Sequence, residues 1–169
     1  DVERHLHLEL LAAIPRYGKD DAALATEAYQ NLRTALLFSR RGEAGQVVLI
    51  TGTAPGEGKT TTLLNVAKLL AVSGETVVVV DCDLRRPKVH VALGLRPECG
   101  LAEVLADEVP LDRAVIRVEG TSLDVLPVRR TPSNPSELLG SDRMRALVEE
   151  VARSFDQVIF DLPPTLAMP

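Results

Sequence analysis

The stretch Thr51-Gly52-Thr53-Ala54-Pro55-Gly56-Glu57-Gly58-Lys59-Thr60-Thr61 carries the residue types needed to hold a phosphate chain. Glycines let consecutive backbone N–H groups turn inward around an anion, and a helix beginning behind them adds partial positive charge. Pro55, Gly56, Glu57, Gly58, Lys59, Thr60 and Thr61 are the candidate phosphate-binding residues. Lys59 can reach the terminal phosphates, and the Thr60 hydroxyl can ligate Mg²⁺. Acids supply the second half of the chemistry. Asp81 and Asp83 follow four valines, and Asp161 closes the apolar run Val158-Ile159-Phe160. Residues two apart on a strand point to one face, so Asp81 and Asp83 are expected to address one site together. Their hard oxygens suit Mg²⁺, which leans on one or two carboxylates plus phosphates. One of the pair could instead take the proton of an incoming hydroxyl. A lone Asp at a strand end is ordinarily a turn former, but two acidic strand ends beside a phosphate loop favour the chemical reading. Arg85, Arg86 and Lys88 either meet phosphates or form a solvated loop, and residue type alone leaves both open.

The elements around these residues alternate. Leu24, Ala28, Leu32, Ala35 and Leu36 recur at helical spacing from about Asp21 to Arg40, with Gly42 and Gly45 beyond. A strand over 46–51, the Gly-rich loop and a helix over 59–72 follow, with Gly74 as its stop. Val77-Val78-Val79-Val80 reads as a parallel strand covered on both faces. Short helices are expected over 101–107 and about 110–116, and a short strand over Leu123–Leu126. Asn134-Pro135-Ser136-Glu137 reads as a helix start, with Asn at the cap and Pro at the first position. Ser141 caps another helix whose Met144, Leu147, Val148, Val151 and Phe155 form a core-facing stripe. The last strand runs over Gln157–Asp161 and leads into Leu162-Pro163-Pro164. Strands alternating with helices predict an α/β fold, a doubly wound and mainly parallel sheet with helices on both faces. Ligands of such sheets bind at the carboxyl ends of the strands, where the loop and the acids lie.

Composition bounds the alternatives. With 169 residues, 46% of them hydrophobic and 25% charged, the chain suits one domain with a sizeable core. A net charge of −5 argues against non-specific nucleic-acid binding. Cys82 and Cys99 fit neither a zinc pattern nor a redox motif. His5, His7 and His90 have no evident partner, so surface or packing roles are expected for them. No apolar run approaches the length needed to cross a bilayer, and no signal peptide is visible.

Several motifs, in collinear order, resemble those of the bacterial tyrosine kinases (BY-kinases). Ala54-Pro55-Gly56-Glu57-Gly58-Lys59-Thr60 is similar to their Walker A, and Asp81-x-Asp83-x-Arg85 to their second Walker-type motif. Val158 to Pro164 resembles their Walker B. Glu27 to Thr34, Gly100 to Leu105, and Leu126-Pro127 followed by Asn134 to Leu139 extend the likeness across nearly the whole chain. The resemblance implies a P-loop NTPase-like domain over 21–169 that transfers the γ-phosphate of ATP, with Mg²⁺, to protein tyrosines and regulates capsular or extracellular polysaccharide synthesis and export. Lys59 would hold phosphates, Thr60, Asp83 and Asp161 would work at the metal, and Asp81 would be the base near the reacting hydroxyl. Residues 1–20 resemble a juxtamembrane segment, which implies the cytoplasmic end of an inner-membrane polysaccharide co-polymerase. Implied partners are further copies of the chain in a ring, through Glu27 and Arg33, and a tyrosine-rich tail in cis or trans.

Departures from the family pattern are informative. Thr53 stands at the first Gly position of the general phosphate loop, and Gln30 replaces the middle Arg of the ring motif. Tyr17 and Tyr29 are the two tyrosines, so the acceptor tail is expected to lie outside this sequence. The strands that follow Walker B in the family, with part of the base-binding pocket, are likewise expected beyond it: the sheet reads as truncated after Asp161. Two other functions compete. A partitioning or septum-site ATPase of the same superfamily carries an extra Lys five residues before the loop Lys, where Ala54 stands here. A non-catalytic, nucleotide-gated scaffold would not require all three acids.

Overall fold

The computed structural model describes residues 9–15, 22–40 and 45–167. Most of the juxtamembrane-like segment 1–20, with His5, His7 and Tyr17, lies outside them, as does Gly42. The chain divides into two compact units, Asp1–Gly42 and Glu43–Pro169. The division follows Gly42, so the first long helix groups with the N-terminal unit rather than with residues 21–169.

That helix, α1, spans Ala22–Ser39. Its buried positions are Ala25, Ala28, Tyr29 and Leu36, whereas Leu24 is exposed. The buried line is therefore turned by one residue from the expected stripe; 25, 28, 29, 32 and 36 satisfy the same helical period. Glu27 is exposed and Arg33 half-buried.

The second unit is a parallel sheet wrapped by helices. In chain order it contains β1 (Gln46–Ile50), α2 (Lys59–Val72), β2 (Val77–Asp81), α3 (Val89–Ala92), α4 (Leu101–Leu105), α5 (Leu111–Ala114), β3 (Ile116–Arg117), β4 (Leu123–Leu126), α6 (Pro135–Leu139), α7 (Asp142–Ser154) and β5 (Gln157–Asp161). A single 3₁₀ turn, Thr165–Ala167, follows. The five strands stand in the order β1-β5-β2-β4-β3. All neighbours are parallel except β3, which pairs antiparallel with β4.

Every residue of β2, β4 and β5 is buried, as expected of strands covered on both faces. Alternation sends Val78, Val80, Val158 and Phe160 into a core with Leu101, Val104, Leu147 and Val151 of α4 and α7. The other face meets α2, whose Leu63, Val66, Ala67 and Leu70 are buried. Ser141 caps α7, its hydroxyl oxygen accepting the Met144 N–H at 3.2 Å. At the sheet margin, Val47 and Leu49 of β1 stay exposed, Leu49 by 63%.

The two-residue strand β3 had no sequence signal. Its Arg117 lies opposite Asp124 of β4, and the Arg117 Nη2 donates to the buried Asp124 carboxylate at 2.7 Å. The pair neutralises an acid that the strand pattern buries. Nearby, Gly100 opens α4 against the end of β4. The Leu101 N–H donates to the Pro127 carbonyl at 2.7 Å, and a Cβ on Gly100 would lie 2.1 Å from that oxygen. Gly100→Ala should therefore force the backbones apart and lower stability by about 1–3 kcal/mol, read as a shifted midpoint in urea.

Candidate active site

The register of the parallel strands assembles the site. Ile50 pairs with Asp161, and Asp161 with Asp81, so three strand ends finish level with β5 in the middle. Chain reversal then puts the phosphate loop after β1 beside both acidic ends. The resulting cleft has a volume of about 650 Å³. Its walls are Pro55, Gly56, Gly58, Lys59, Thr60 and Thr61 on one side, Asp83, Arg85, Arg86 and Lys88 on the other, with Asp161, Pro163 and Pro164 at the base.

The loop has the backbone that anion binding needs. Gly56 and Gly58 have φ of 83° and 88°, a region strained for any residue with a Cβ. Gly58 is the N-cap of α2, so the first turn of a four-turn helix opens at Lys59 and Thr60. Gly52 accommodates its neighbours differently: a Cβ there would come within 3.0 Å of the Lys59 stem. Thr53, at the position of the pattern's first Gly, closes the loop on itself. Its N–H donates to the Glu57 carboxylate at 2.8 Å and its hydroxyl donates to the other oxygen. The hydroxyl bond holds the Glu57 carboxyl below its usual range. Glu57 is thus turned toward Thr53 and is the one member of the 55–61 set off the cleft wall.

Residues past β5 brace the loop from outside. The Thr51 hydroxyl donates to the Pro163 carbonyl at 2.9 Å. The Thr165 and Leu166 N–H groups donate to the Gly52 and Thr53 carbonyls at 2.9 and 3.1 Å. None of these braces had a sequence signal beyond a Pro-Pro step, because each joins residues about a hundred positions apart.

Asp161 and Thr60 meet directly. The Thr60 hydroxyl donates to Asp161 Oδ2 at 2.7 Å. Asp161 Oδ1 is buried with no hydrogen-bond partner, an orphan that native structures seldom leave without a reason. Burial pushes the Asp161 carboxyl up, while the Thr60 hydroxyl and the Lys59 charge pull it back. An Mg²⁺ ion beside bound phosphates would satisfy that oxygen. Among the described residues no group of three or more His, Cys, Asp or Glu stands together as a metal site.

The structure separates Asp81 from Asp83, and here the expected shared site is corrected. Asp83 lines the cleft. Asp81 is fully buried behind it, and three backbone donors occupy its carboxylate. The Asp83 N–H reaches Oδ1 at 3.1 Å, and the Lys88 and Val89 N–H groups reach Oδ2 at 3.2 and 3.1 Å. Same-face parity holds only within a strand, and the chain leaves β2 at Asp81 to turn. Burial pushes the Asp81 carboxyl up to about 7, against the pull of those N–H groups. The neighbouring Cys82 thiol is raised by burial as well, which leaves it a packing group. Arg85, Arg86 and Lys88, open between two roles in the sequence, stand on the phosphate cleft. Glu27 and Arg33 belong to the other compact unit.

Comparison with known proteins gives one family match and several similar proteins. Residues 45–168 match the AAA domain family. The chain is 40% identical over 146 residues to the tyrosine-protein kinase YwqD of Bacillus subtilis (strain 168), across 86% of this chain and 62% of that protein. The solved kinase domain of Escherichia coli tyrosine kinase ETK is similar with a TM-score of 0.81 and 36% identity, covering 99% of this chain and 67% of that one. The Pyrococcus furiosus cell division ATPase MinD is similar with a TM-score of 0.62 and 27% identity, covering 72% of this chain and 52% of that one. The chain thus spans 62% of the length of YwqD, and 22% of the whole Escherichia coli (strain K12) tyrosine-protein kinase etk.

Proposed function

This chain belongs to the AAA domain family and, within it, to the bacterial tyrosine kinases, and we propose that it binds Mg-ATP and transfers the γ-phosphoryl group to tyrosine hydroxyls. The observation that supports this most is the cleft in which Lys59, Thr60, Asp83 and Asp161 converge, with one Asp161 oxygen left unmatched. Phosphoryl transfer asks the protein mainly for positioning and charge neutralisation. Loop N–H groups between Gly56 and Thr60 cradle the phosphates, and Lys59 places a point charge at their far end. Thr60, Asp161 and Asp83 would hold Mg²⁺, which would supply charge neutralisation for the phosphates. Arg85, Arg86 and Lys88 add positive charge on the opposite wall. Asp83 has two tasks open to it, a share of the metal and the proton of the acceptor hydroxyl. Asp81 is a positioning residue that holds the 83–89 turn in place.

The same reading carries the biological setting implied by the resemblance: a cytoplasmic domain of an inner-membrane polysaccharide co-polymerase that associates with copies of itself through α1, using Glu27 and Arg33. Its acceptors would be tyrosines of a tail, in cis or on a neighbour. No helix among the described residues is long and apolar enough to cross a membrane.

Incubation with γ-labelled Mg-ATP and a glutamate–tyrosine copolymer separates the alternatives. Label on tyrosine is the expected result. Label released as inorganic phosphate alone, faster with DNA or lipid, would instead mark a partitioning-type ATPase. Nucleotide binding with neither product would mark a scaffold.

A further inference from the structure

Next to the phosphate cleft, at Asp83 and Arg85, a second cleft of about 290 Å³ opens. It shares Asp83, Arg85 and Pro163 with the phosphate cleft. Its own walls are chiefly apolar: Leu84 at the back, and Pro135 and Leu139 of α6 in front. The gap has a structural origin. Helix α6 is a single short turn with no fully buried residue. Its Leu138 and Leu139 rest against the core only in part, so it stands off from the segment that leaves β2.

We propose that this cleft receives the aromatic ring of the tyrosine that is phosphorylated. The inference rests on the kinase reading and adds where the acceptor binds. Two features carry it. The cleft is apolar except at the edge it shares with Asp83 and Arg85, which matches a phenol with a ring and one polar tip. It adjoins the phosphate cleft at those same residues. In that arrangement the phenolic oxygen forms a bond to the γ-phosphorus and the bond to the β–γ bridging oxygen breaks. ADP leaves with that electron pair, and the phenolic proton passes to Asp83 and then to solvent.

Ser136 is exposed on the rim of this cleft, so a large side chain there can block it without disturbing the core. Ser136→Trp is expected to raise KM for the glutamate–tyrosine copolymer by about tenfold or more, with Mg-ADP affinity and the thermal midpoint held. Ser136→Lys, which puts a charge at the apolar mouth, should act in the same direction and covers the case in which the Trp variant folds poorly. An unchanged KM in both variants would overturn the proposal, as would a loss of nucleotide affinity in step with the loss of transfer. Wild-type protein that hydrolyses ATP without labelling tyrosine would remove the kinase reading itself. A wild type that labels tyrosine and variants that label it equally would remove only the subsite.

Discussion

Lys59→Met should reduce tyrosine phosphorylation by at least about a hundredfold, the scale of losing one preorganised charge from a phosphoryl-transfer site, and leave the fold intact. Lys59 opens α2 on the wall of the cleft, so its ammonium adds to the partial charge of the helix N-terminus where phosphates would sit. Its stem lies against Gly52, where a Cβ would come within 3.0 Å of it. Methionine keeps the stem and removes the charge, so packing around Gly52 survives. The residue is half-buried and makes no core contact, and the expected stability change is within about 0.5 kcal/mol. Initial rates with Mg-ATP and the copolymer, beside a thermal melt, check both halves. Transfer within tenfold of wild type would show that the loop N–H groups suffice and that the lysine is dispensable.

Asp81→Ala is expected to fail differently. It strips the acceptors from three N–H groups, that of Val89 buried and those of Asp83 and Lys88 part-buried, at a cost of about 3 kcal/mol for the set, or roughly 5–10 °C in thermal midpoint. The turn from Asp83 to Val89 is then released, and Asp83, Arg85, Arg86 and Lys88 ride on it. Transfer should fall about a hundredfold, and affinity for Mg-ADP should fall with it. A residue acting only as the base would lower kcat and spare both stability and nucleotide binding, so the two roles part on measurements that require no turnover. The charge state of Asp81 adds a second readout in the nucleotide-free protein. Burial raises this carboxyl from 3.8 to about 7, so its contribution to stability is whole below the ordinary carboxylate range and is lost as pH rises through about 7. Asn cannot titrate. The stability advantage of wild type over Asp81→Asn should therefore shrink between pH 5 and pH 8. An advantage that grows over this range would reverse the assignment.

Much of the site is legible in residue order because its signals are local. A run of valines covered on both faces, glycines ahead of Lys59 and a 3.6-residue apolar period after it are properties of neighbouring residues. They specify β2, the loop and α2 without reference to the rest of the chain. The cap at Ser141 is local in the same way, and so is the start of α6 at Pro135. Where the reading failed, a distant partner decided. Leu24 and Ala25 both fit the helical period of α1, and only burial selects Ala25. The strand β3 exists because Arg117 finds Asp124 across the sheet edge.

Asp81 and Asp83 show the division most sharply. By itself the sequence determined that acids stand at two strand ends near a phosphate loop, since hydrophobic runs and turn chemistry are written locally. Which acid faces the cleft was decided by where the chain leaves β2. That choice sent the Asp81 oxygens to the N–H groups of a turn and left Asp83 on the wall. The pairing of Ile50 with Asp161 and of Asp161 with Asp81 was likewise a tertiary outcome, because parallel register depends on packing across strands more than seventy residues apart in sequence. Sequence order thus supplied the chemical groups, and the register of three strands brought them within reach of one phosphate.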